Sequence, residues 1–238
     1  MKNCEISPRL ALNLLKELGS SPLHIEGLMN SSSDICQYLA DALNVKCLKG
    51  WKFNSLLGKG VHGVVFSISK KGTRTERAVK IVSRNPYSEI KTQKLIASKG
   101  GAPKIVETCK FAKDKWIIIS EKVEGTVDAL TENKLSKVKL DRIYSEITRL
   151  IGVMEKCNMS HGDLRLENIG YVHRKDGKIV LKILDFGESK RYIPMFDISY
   201  FAIDLLWITN QKNRQYLFDK TTRYIQERHL IILPESTN

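Results

Sequence analysis

Three polar side chains lie close together in the segment HGDLRLENIG, residues 161–170, between a helix-like run and a strand-like run. Asp163 and Asn168 are five positions apart, and Arg165 lies between them. An aspartate on a loop can accept a hydroxyl proton or orient a nucleophile, and an asparagine can offer its amide oxygen to a metal ion. Asp, Asn and Gly are also ordinary turn residues. This segment alone leaves a metal site, a proton relay and a plain turn open.

A glycine-rich segment, GKGVHGVV, places glycines at Gly58, Gly60 and Gly63. Glycines let a backbone approach phosphate groups without interference from Cβ, and exposed N–H groups can then surround the anion. A dinucleotide site of the Rossmann type requires a helix after the third glycine. Here the strand-like run VVFSISK follows. The segment therefore indicates phosphate binding by a β-hairpin, or a structural glycine-rich turn.

Two more charged residues belong to apolar strand-like runs. Lys80, in RAVKIV, is costly to bury unless its ammonium has an anionic partner, and Glu89 on the next helical stretch is the nearest candidate. The alternative is an edge-strand lysine that reaches solvent. Asp185, in LDFG, follows a strand and offers a carboxylate to Mg²⁺, or caps a turn. His161 is expected to be structural, with its imidazole bonded to backbone.

The elements that position these residues change in type along the chain. Residues 1–50 are predicted to form a helical extension, with Pro8 starting a helix over RLALNLLKEL and Ser33 and Asp34 capping a second helix, DICQYLADAL. From Trp51 the runs KFNSLLGKG, GVVFSISK and RAVKIV indicate strands. A short helix, SEIKTQKLIASKG, and a buried strand, KWIIIS, follow.

After a connector at about residues 121–125 the pattern becomes helical. One apolar helix face is formed by Ile143, Ile147, Leu150, Ile151 and Met154. The stretch IGYVHRKDGKIVLKILDFG predicts a hairpin with Asp176-Gly177 as its turn. FDISYFAIDLLWIT then predicts a nearly all-apolar buried helix, and a last helix covers roughly 211–228. We therefore predict an α+β protein with an extension (1–50), a β-rich lobe (51–122) and an α-rich lobe (123–238).

The amino-acid composition limits the partners and the cellular location that we expect for this protein. The chain has 238 residues and a formal net charge of +13, which favours polyanionic partners, although no Lys/Arg block of the kind typical of nucleic-acid patches appears. No apolar run is long enough to span a membrane, and no secretory signal peptide is visible. The five scattered cysteines indicate neither a zinc site nor a disulfide scaffold. We expect an intracellular, cytoplasmic protein, in a host cytoplasm if it is a viral protein or an effector.

Taken together, the glycine segment, the Lys of A-V-K, the D-x-x-x-x-N loop and D-F-G resemble the signature set of the protein kinase-like superfamily, in the same order. The resemblance covers about residues 51–210. It implies a bilobal fold with a β-rich N-lobe and a truncated α-rich C-lobe. It also implies transfer of the γ-phosphate of ATP to a protein substrate.

The resemblance gives the first group of residues a role in nucleotide binding. Gly58, Gly60 and Gly63 would cover the phosphates of ATP. Lys80 would hold the α- and β-phosphates and pair with Glu89. The adenine ring would be surrounded by Leu57, Val65 and Ala78, by Ser120 as the gatekeeper, and by the backbone of Glu121 and Val123.

The second group would carry the chemistry. Asp163 would accept or orient the substrate hydroxyl. Arg165 stands where many kinases have a lysine that neutralises the γ-phosphate, and its guanidinium can supply a charged fork there. Asn168 and Asp185 would hold two Mg²⁺ ions, with Mn²⁺ as an alternative metal.

The chain also departs from the usual pattern. The usual H-R-D is His161-Gly162-Asp163, so the arginine that would bind an activation-loop phosphate is missing. Only about ten residues separate Gly187 from Asp197, and no A-P-E sequence follows. We therefore expect activity without phosphorylation of an activation loop. Such reduction resembles the minimal kinases of large DNA viruses, bacterial effector kinases and small atypical kinases.

Two alternatives stay open. The H-G-D sequence also resembles small-molecule kinases of the aminoglycoside and choline type, which carry a larger helical substrate lobe than this chain provides. A nucleotide-binding pseudokinase is the other alternative. The intact D-F-G and glycine segment favour a protein kinase. Serine and threonine are the preferred acceptors, although D-L-R-x-x-N also occurs in some tyrosine kinases.

Overall fold

The structure, a computed structural model, describes residues 45–60, 63–70, 72–82, 84–112, 115–131, 136–193, 196–208 and 211–229. The two helices predicted before residue 44 lie outside the described residues. The chain divides into two compact units. The first unit comprises residues up to 90 and 104–122, and the second comprises 91–103 and 123 onward. The segment 91–103, which the sequence prediction gave to the first lobe, thus groups with the second unit.

The first unit is built on one antiparallel sheet. Its strands are β1 (Trp51–Gly60), β2 (Gly63–Lys70), β3 (Glu76–Val82), β4 (Ile105–Ala112) and β5 (Lys115–Glu121), in the order β1-β2-β3-β5-β4. The strands predicted from KFNSLLGKG, GVVFSISK, RAVKIV and KWIIIS are confirmed. Strand β4 was not predicted, because its sequence IVETCKFA mixes apolar and polar residues without a regular alternation. Its pairing with β5 is interrupted by two register shifts.

Side chains along the strands alternate between a face of the sheet that packs into the core and a second face. Val64, Phe66 and Ile68 on β2 are buried, as are Val79 and Ile81 on β3. Successive side chains of a strand point to opposite faces of the sheet. The second face therefore carries the residues between these, including the predicted nucleotide-binding positions. Helix α1 (Tyr87–Ser98) follows β3 and brings Glu89 into the first unit in its first turn.

A disulfide joins Cys47 to Cys109 in the first unit. Cys47 belongs to a 3₁₀ helix, Lys46–Leu48, that precedes β1, and Cys109 lies on β4. Sequence alone does not indicate this bond, because the two cysteines are 62 residues apart and only the packing of the 3₁₀ helix against β4 makes them neighbours. For this pair the sequence interpretation was wrong.

The second unit is mainly helical. Its helices are α2 (Val127–Thr131), α3 (Lys137–Lys156), α4 (Phe196–Ile208) and α5 (Gln211–His229). Its short strands are β6 (Gly125–Thr126), β7 (Met159–Ser160), β8 (Ile169–His173), β9 (Ile179–Ile183) and β10 (Lys190–Arg191). The predicted order, a β-rich part followed by an α-rich part, is confirmed, as is the β8–β9 hairpin around Asp176-Gly177. In the described part of the chain no helix is long and apolar enough to cross a membrane.

Helix α3 is the centre of the second unit. Its side chains Ile147, Leu150, Ile151 and Met154 are buried as predicted, and Ile143 packs against the same core. Ser136 caps its first turn by accepting from the N–H of Lys139. The core continues through β8, β9 and α4, so the strands that flank residues 161–168 rest on a single hydrophobic cluster.

Helices α3 and α5 are joined by a polar network. The Lys220 ammonium and the Tyr216 hydroxyl both donate to the Asp141 carboxylate, and Lys220 lies over the ring of Tyr144. The hydrogen bond from Lys220, assisted by that from Tyr216, holds the pKa of Asp141 below its usual value. Burial raises the pKa of Tyr224 on α5 to about 12. These contacts stabilise the packing of α5 on α3.

Helix α4 departs from the prediction of a buried helix. Ile198 and Phe201 are buried, but Tyr200 and Ile203 are 43% and 54% exposed. The sequence is apolar on both sides of this helix, and only the structure shows that one side is left uncovered.

We expect Ile147→Ala to lower the free energy of unfolding by about 3 kcal/mol, because its fully buried side chain leaves a cavity in the core. Val138→Ala is the matched control: it removes apolar carbons from the same helix at a position that is 61% exposed. The control should change stability by no more than about 0.5 kcal/mol. Denaturant titration checks both. Equal losses for the two variants would contradict the assigned core.

Candidate active site

The second unit brings three of the predicted residues into direct contact. Arg165 forms a two-pronged ion pair with Asp163, with Nε to Oδ1 at 2.9 Å and Nη2 to Oδ2 at 3.2 Å. Asn168 Nδ2 donates to Oδ2 of the same carboxylate at 3.1 Å and to the Asp163 carbonyl at 2.8 Å. The hydrogen bond from Arg165 to Asp163 raises the pKa of Arg165. A carboxylate, a guanidinium and an amide therefore converge within one loop, residues 161–168, which we call the catalytic loop.

His161 holds the start of the catalytic loop, as expected for a structural residue. It is fully buried, and its ring lies 5.4 Å from that of Phe186 in an edge arrangement. The N–H of Asp163 donates to Nδ1 at 3.3 Å, which places the ring proton on Nε2. Nε2 then donates to the carbonyl of Leu184 at 2.7 Å.

Leu184 connects the catalytic loop to Asp185. Its N–H donates to the carbonyl of Asn168 at 2.8 Å, while its own carbonyl accepts from His161. Asp185 comes directly after it, has a left-handed backbone (φ 51°), and accepts from the N–H of Gly187. Two hydrogen bonds thus fix the residue before Asp185 to both ends of the loop that carries Asp163 and Asn168.

Asp197 on α4 is a site residue that the sequence analysis did not find. Its buried carboxylate accepts from the N–H of His161 at 2.8 Å and from the N–H of Gly162 at 3.1 Å. Asp204, two turns further along α4, accepts from the N–H of Leu166 at 3.1 Å. Helix α4 therefore satisfies backbone donors at both ends of the catalytic loop. Two aspartates seven residues apart in an apolar helix were the available indication.

Steric packing explains why the middle residue of H-G-D is a glycine. Gly162 has φ +91°, a conformation that other residues rarely adopt. A Cβ at this position would collide with the carbonyl oxygen of Glu188. The approach of the segment after Asp185 to the catalytic loop therefore excludes the arginine that stands here in the usual H-R-D.

The first unit contains the predicted ion pair. Lys80 on β3 is 14% exposed, and its Nζ lies 2.6 Å from Oε1 of Glu89, which is 4% exposed. The other carboxylate oxygen of Glu89 is buried and has no hydrogen-bond partner among the described residues. Glu89 reaches Lys80 although only nine positions separate them, because α1 begins at Tyr87.

Strand register places further predicted residues on the same sheet face as Lys80. Val65 pairs with Lys80, and Ala78 pairs with Ser120 across β3 and β5. Lys80 and Ala78 are two apart on one strand, so all four share a face. Leu57 lies at a register shift on β1 and is 46% exposed.

The three glycines of the β1–β2 hairpin differ in their surroundings. Gly60 pairs with Gly63, next to residues 61 and 62, which the structure does not describe. A Cβ at Gly63 would collide with the carbonyl oxygen of Ile81, so the packing of β2 on β3 requires a glycine there. A Cβ at Gly58 would meet nothing within 4 Å. The packing of the sheet thus explains why position 63 requires a glycine, but it does not explain the glycine at position 58.

The segment predicted to meet adenine begins at the end of β5. The N–H of Glu121 donates to the carbonyl of Lys104, and its own carbonyl accepts from Ser120 Oγ at 3.3 Å. Val123 belongs to the second unit, where its half-buried side chain lies against Gly170. The sequence-predicted residues therefore form two groups: Leu57 to Glu121 in the first unit, and Val123 to Asp185 in the second.

The residues present fit a nucleotide-bound metal rather than an all-protein metal cage. Among the described residues, no three His, Cys, Asp or Glu side chains cluster as metal ligands. Mg²⁺ usually takes one or two protein carboxylates and completes its shell with substrate phosphates and water. Asp185 can supply one carboxylate, and Asn168 can add an amide oxygen as a second protein ligand.

A family model described as "Protein kinase domain" matches residues 51–211, about two thirds of the chain. The chain belongs to the protein kinase family. The match begins with the first residue of β1 and ends with the first residue of α5, so it includes every predicted site residue.

Several curated protein kinases resemble this chain at low identity. It is 25% identical over 160 residues to calcium-dependent protein kinase 4 of Plasmodium berghei, with 63% of this chain and 30% of the relative covered. It is 24% identical over 152 residues to myosin light chain kinase A of Dictyostelium discoideum, covering 60% and 51%. The chain thus spans from about a third to a half of the length of these relatives.

The solved structure of the Cydia pomonella granulovirus kinase PK-1 has the same fold. It matches with a TM-score of 0.57 at 18% identity, covering 71% of this chain and 75% of the viral one. At this identity the likeness shows the fold alone.

The stretch after D-F-G is short in this kinase. Helix α4 begins at Phe196, nine residues after Gly187. The described part of that stretch contains a 3₁₀ helix, Phe186–Glu188, and β10, which pairs with β7 directly before the catalytic loop.

We expect Asp204→Ala to speed hydrogen exchange of the Leu166 amide by tenfold or more, because a hydrogen bond to a charged acceptor contributes about 1.5–3 kcal/mol. Asp204→Asn retains an acceptor oxygen and should restore much of the protection. The amide of Ile183, which donates to the carbonyl of Gly101, reports unfolding of the whole unit. Equal acceleration at Leu166 and Ile183 would mean that Asp204 has no local role.

Proposed function

We propose that this protein is an ATP-dependent kinase that transfers the γ-phosphate to serine or threonine hydroxyls of a protein substrate. The observation that carries the proposal is the convergence of Arg165 and Asn168 on the Asp163 carboxylate within hydrogen-bond distance. A structural turn needs no such cluster of one anion, one cation and one amide. Phosphoryl transfer uses each of them.

Asp163 supplies the acid–base step. In transfer, a bond forms between the substrate oxygen and the γ-phosphorus, and the bond from the γ-phosphorus to the bridging oxygen breaks, releasing ADP. The substrate hydroxyl proton passes to Asp163. Asn168, whose amide nitrogen donates to Asp163, orients this carboxylate and turns its amide oxygen away from it.

Arg165 supplies positive charge at the same place. Its guanidinium has five N–H donors and remains charged, so it can satisfy Asp163 and a phosphate oxygen together. In the structure it bonds only to Asp163 among the described carboxylates. Asp185 and Asn168 would hold Mg²⁺ or Mn²⁺ together with the phosphates, and the bound metal would neutralise further phosphate charge. Positioning and charge neutralisation then account for most of the rate.

Lys80 and Glu89 serve nucleotide binding. The ion pair keeps the Lys80 ammonium in place at a largely buried position, from which it can donate to the α- and β-phosphates. The ordered ion pair and the presence of every ligand type favour an active kinase over a pseudokinase. Serine and threonine acceptors are supported by relatives such as serine/threonine-protein kinase ksg1 of Schizosaccharomyces pombe, which is 23% identical over 163 residues.

The test is transfer of labelled γ-phosphate from ATP in the presence of Mg²⁺. Acceptors are the protein itself, casein, a generic basic protein and a panel of small hydroxyl compounds. Label on protein serine or threonine supports the proposal. Label on a small compound alone would instead identify a small-molecule kinase, and ATP binding without transfer would identify a pseudokinase.

In this assay Asp163→Ala should lower the transfer rate by about 10²–10⁴-fold, because it removes the proton acceptor. Asp185→Ala should abolish transfer and weaken the dependence of nucleotide binding on Mg²⁺. Asp176→Ala removes a carboxylate from the β8–β9 turn and is the matched control. The control should retain wild-type rates. A transfer rate in Asp163→Ala within about tenfold of the wild-type rate would contradict the role of this residue.

We expect phosphatase treatment to leave the activity of the recombinant protein unchanged within about twofold. Gly162 replaces the arginine that would bind an activation-loop phosphate, and α4 begins nine residues after Gly187. Mass spectrometry confirms dephosphorylation, and the transfer assay is then repeated. Loss of activity after this treatment would show that phosphorylation is required.

A further inference from the structure

An uncovered apolar surface lies beside the catalytic loop in the second unit. Phe196, Tyr200 and Ile203 occupy positions i, i+4 and i+7 of α4 and so share one side of the helix. We call these three residues the α4 stripe. Tyr200 and Ile203 are 43% and 54% exposed, and the Phe196 and Tyr200 rings lie tilted against each other with centroids 5.1 Å apart. Exposed apolar residues that are ordered against one another often mark an interaction site.

Two cations lie at the end of the α4 stripe. Lys190 Nζ is 4.1 Å from the centre of the Phe196 ring, and Arg191 follows it on β10. Both residues are exposed, and neither forms an ion pair with a carboxylate of the described residues. We call Lys190 and Arg191 the basic pair. Between Asp185 and Asp197 the only acidic residue is Glu188.

Pairing and hydrogen bonds fix this surface relative to Asp163. Lys190 pairs with Ser160 and Arg191 with Met159, and Ser160 is three residues before Asp163. Extended chain covers about 3.3 Å per residue and paired strands lie about 5 Å apart, so the backbone of Lys190 lies within about 15 Å of that of Asp163, and the backbone of Arg191 within about 18 Å. Helix α4 is tied to the same loop by Asp197. The surface and the acceptor site therefore belong to one ordered body.

We propose that the α4 stripe and the basic pair bind the acceptor segment of the protein substrate, and that this segment is acidic near its hydroxyl and apolar further away. This inference rests on the proposed function and specifies its substrate class. Charge complementarity selects the occupant, because exposed cations that form no ion pair within the described residues, in a protein with net charge +13, attract carboxylates. The exposed aromatic and aliphatic side chains then receive an apolar residue.

The length of the α4 stripe sets the spacing between the acidic and the apolar residues of the substrate. Ile203 is seven residues after Phe196, about 10 Å along the helix. An extended peptide covers this distance in about three residues. A good substrate should therefore carry acidic residues within a few positions of the acceptor and an apolar residue about three positions beyond them. Such a surface would take over peptide docking in a chain whose segment between D-F-G and α4 is short.

The test uses four synthetic peptides with one serine: acidic and apolar residues at the stated spacing, acidic only, apolar only, and neither. Binding is followed by fluorescence anisotropy and transfer by kcat/KM. For the wild-type protein, the doubly matched peptide should exceed the unmatched one about tenfold or more in both measurements, the equivalent of about 1.4 kcal/mol.

Variants separate the two parts of the surface. Arg191→Glu should remove the preference for acidic residues and keep the preference for the apolar residue, whereas Ile203→Ser should do the reverse, each by about fivefold. The matched controls are Arg174→Glu, on the β8–β9 turn, and Ile179→Ser, which is 45% exposed on β9. The controls should keep both preferences.

The outcomes distinguish this inference from the proposed function. Transfer to casein without any preference among the four peptides would overturn the inference and leave the kinase assignment intact. Selective peptide binding without transfer would support the docking surface and contradict the proposed function. A dimer that Ile203→Ser converts to monomer would show that a second copy covers the stripe, and the inference would then be wrong.

Discussion

The backbone N–H groups of His161 and Gly162 both donate to the buried carboxylate of Asp197, and the arrangement of the second unit around the catalytic loop depends on this contact. A buried carboxylate is costly unless its oxygens accept hydrogen bonds, so α4 and the loop each require the other. With the start of the loop fixed, His161 can reach the carbonyl of Leu184, and Asp185 is brought beside the loop that carries Asp163. Asp204 holds the other end through Leu166.

This contact also explains how the helices of the second unit hold the catalytic loop. Helix α4 packs Ile198 and Phe201 into the core around α3, and the network of Asp141, Tyr216 and Lys220 joins α5 to α3. Buried apolar contacts thus support the catalytic loop on one side. The carboxylates of Asp197 and Asp204 on α4 support it through hydrogen bonds. Little else is needed to position Asp163, Arg165 and Asn168. The opposite side of α4, with Tyr200 and Ile203, is then left exposed.

The sequence predicted well what is encoded locally. Asp163, Arg165 and Asn168 lie within six residues, and their types alone suggested contact; Lys80 and Glu89 are nine apart and met as the resemblance implied. Asp197 and Asp204 were missed because they lie more than 30 residues from the backbone groups they bond, within an apolar run. The same run concealed the exposure of Tyr200 and Ile203, since helical periodicity cannot show which apolar side stays uncovered. The Cys47–Cys109 bond depends on an edge strand whose mixed apolar and polar sequence shows no regular alternation.

The most direct test of this account is single-turnover phosphoryl transfer by Asp197→Asn, with the ATP dissociation constant measured on the same protein. Asn retains one acceptor oxygen but cannot accept from both N–H groups with full charge, so the loop should shift. We expect transfer to slow by about a hundredfold, because a small misplacement of catalytic groups reduces the rate by about that factor. ATP affinity should stay within about twofold, because Lys80 and Glu89 are untouched. Unchanged transfer, or a loss of ATP affinity that accounts for the whole effect, would contradict the account.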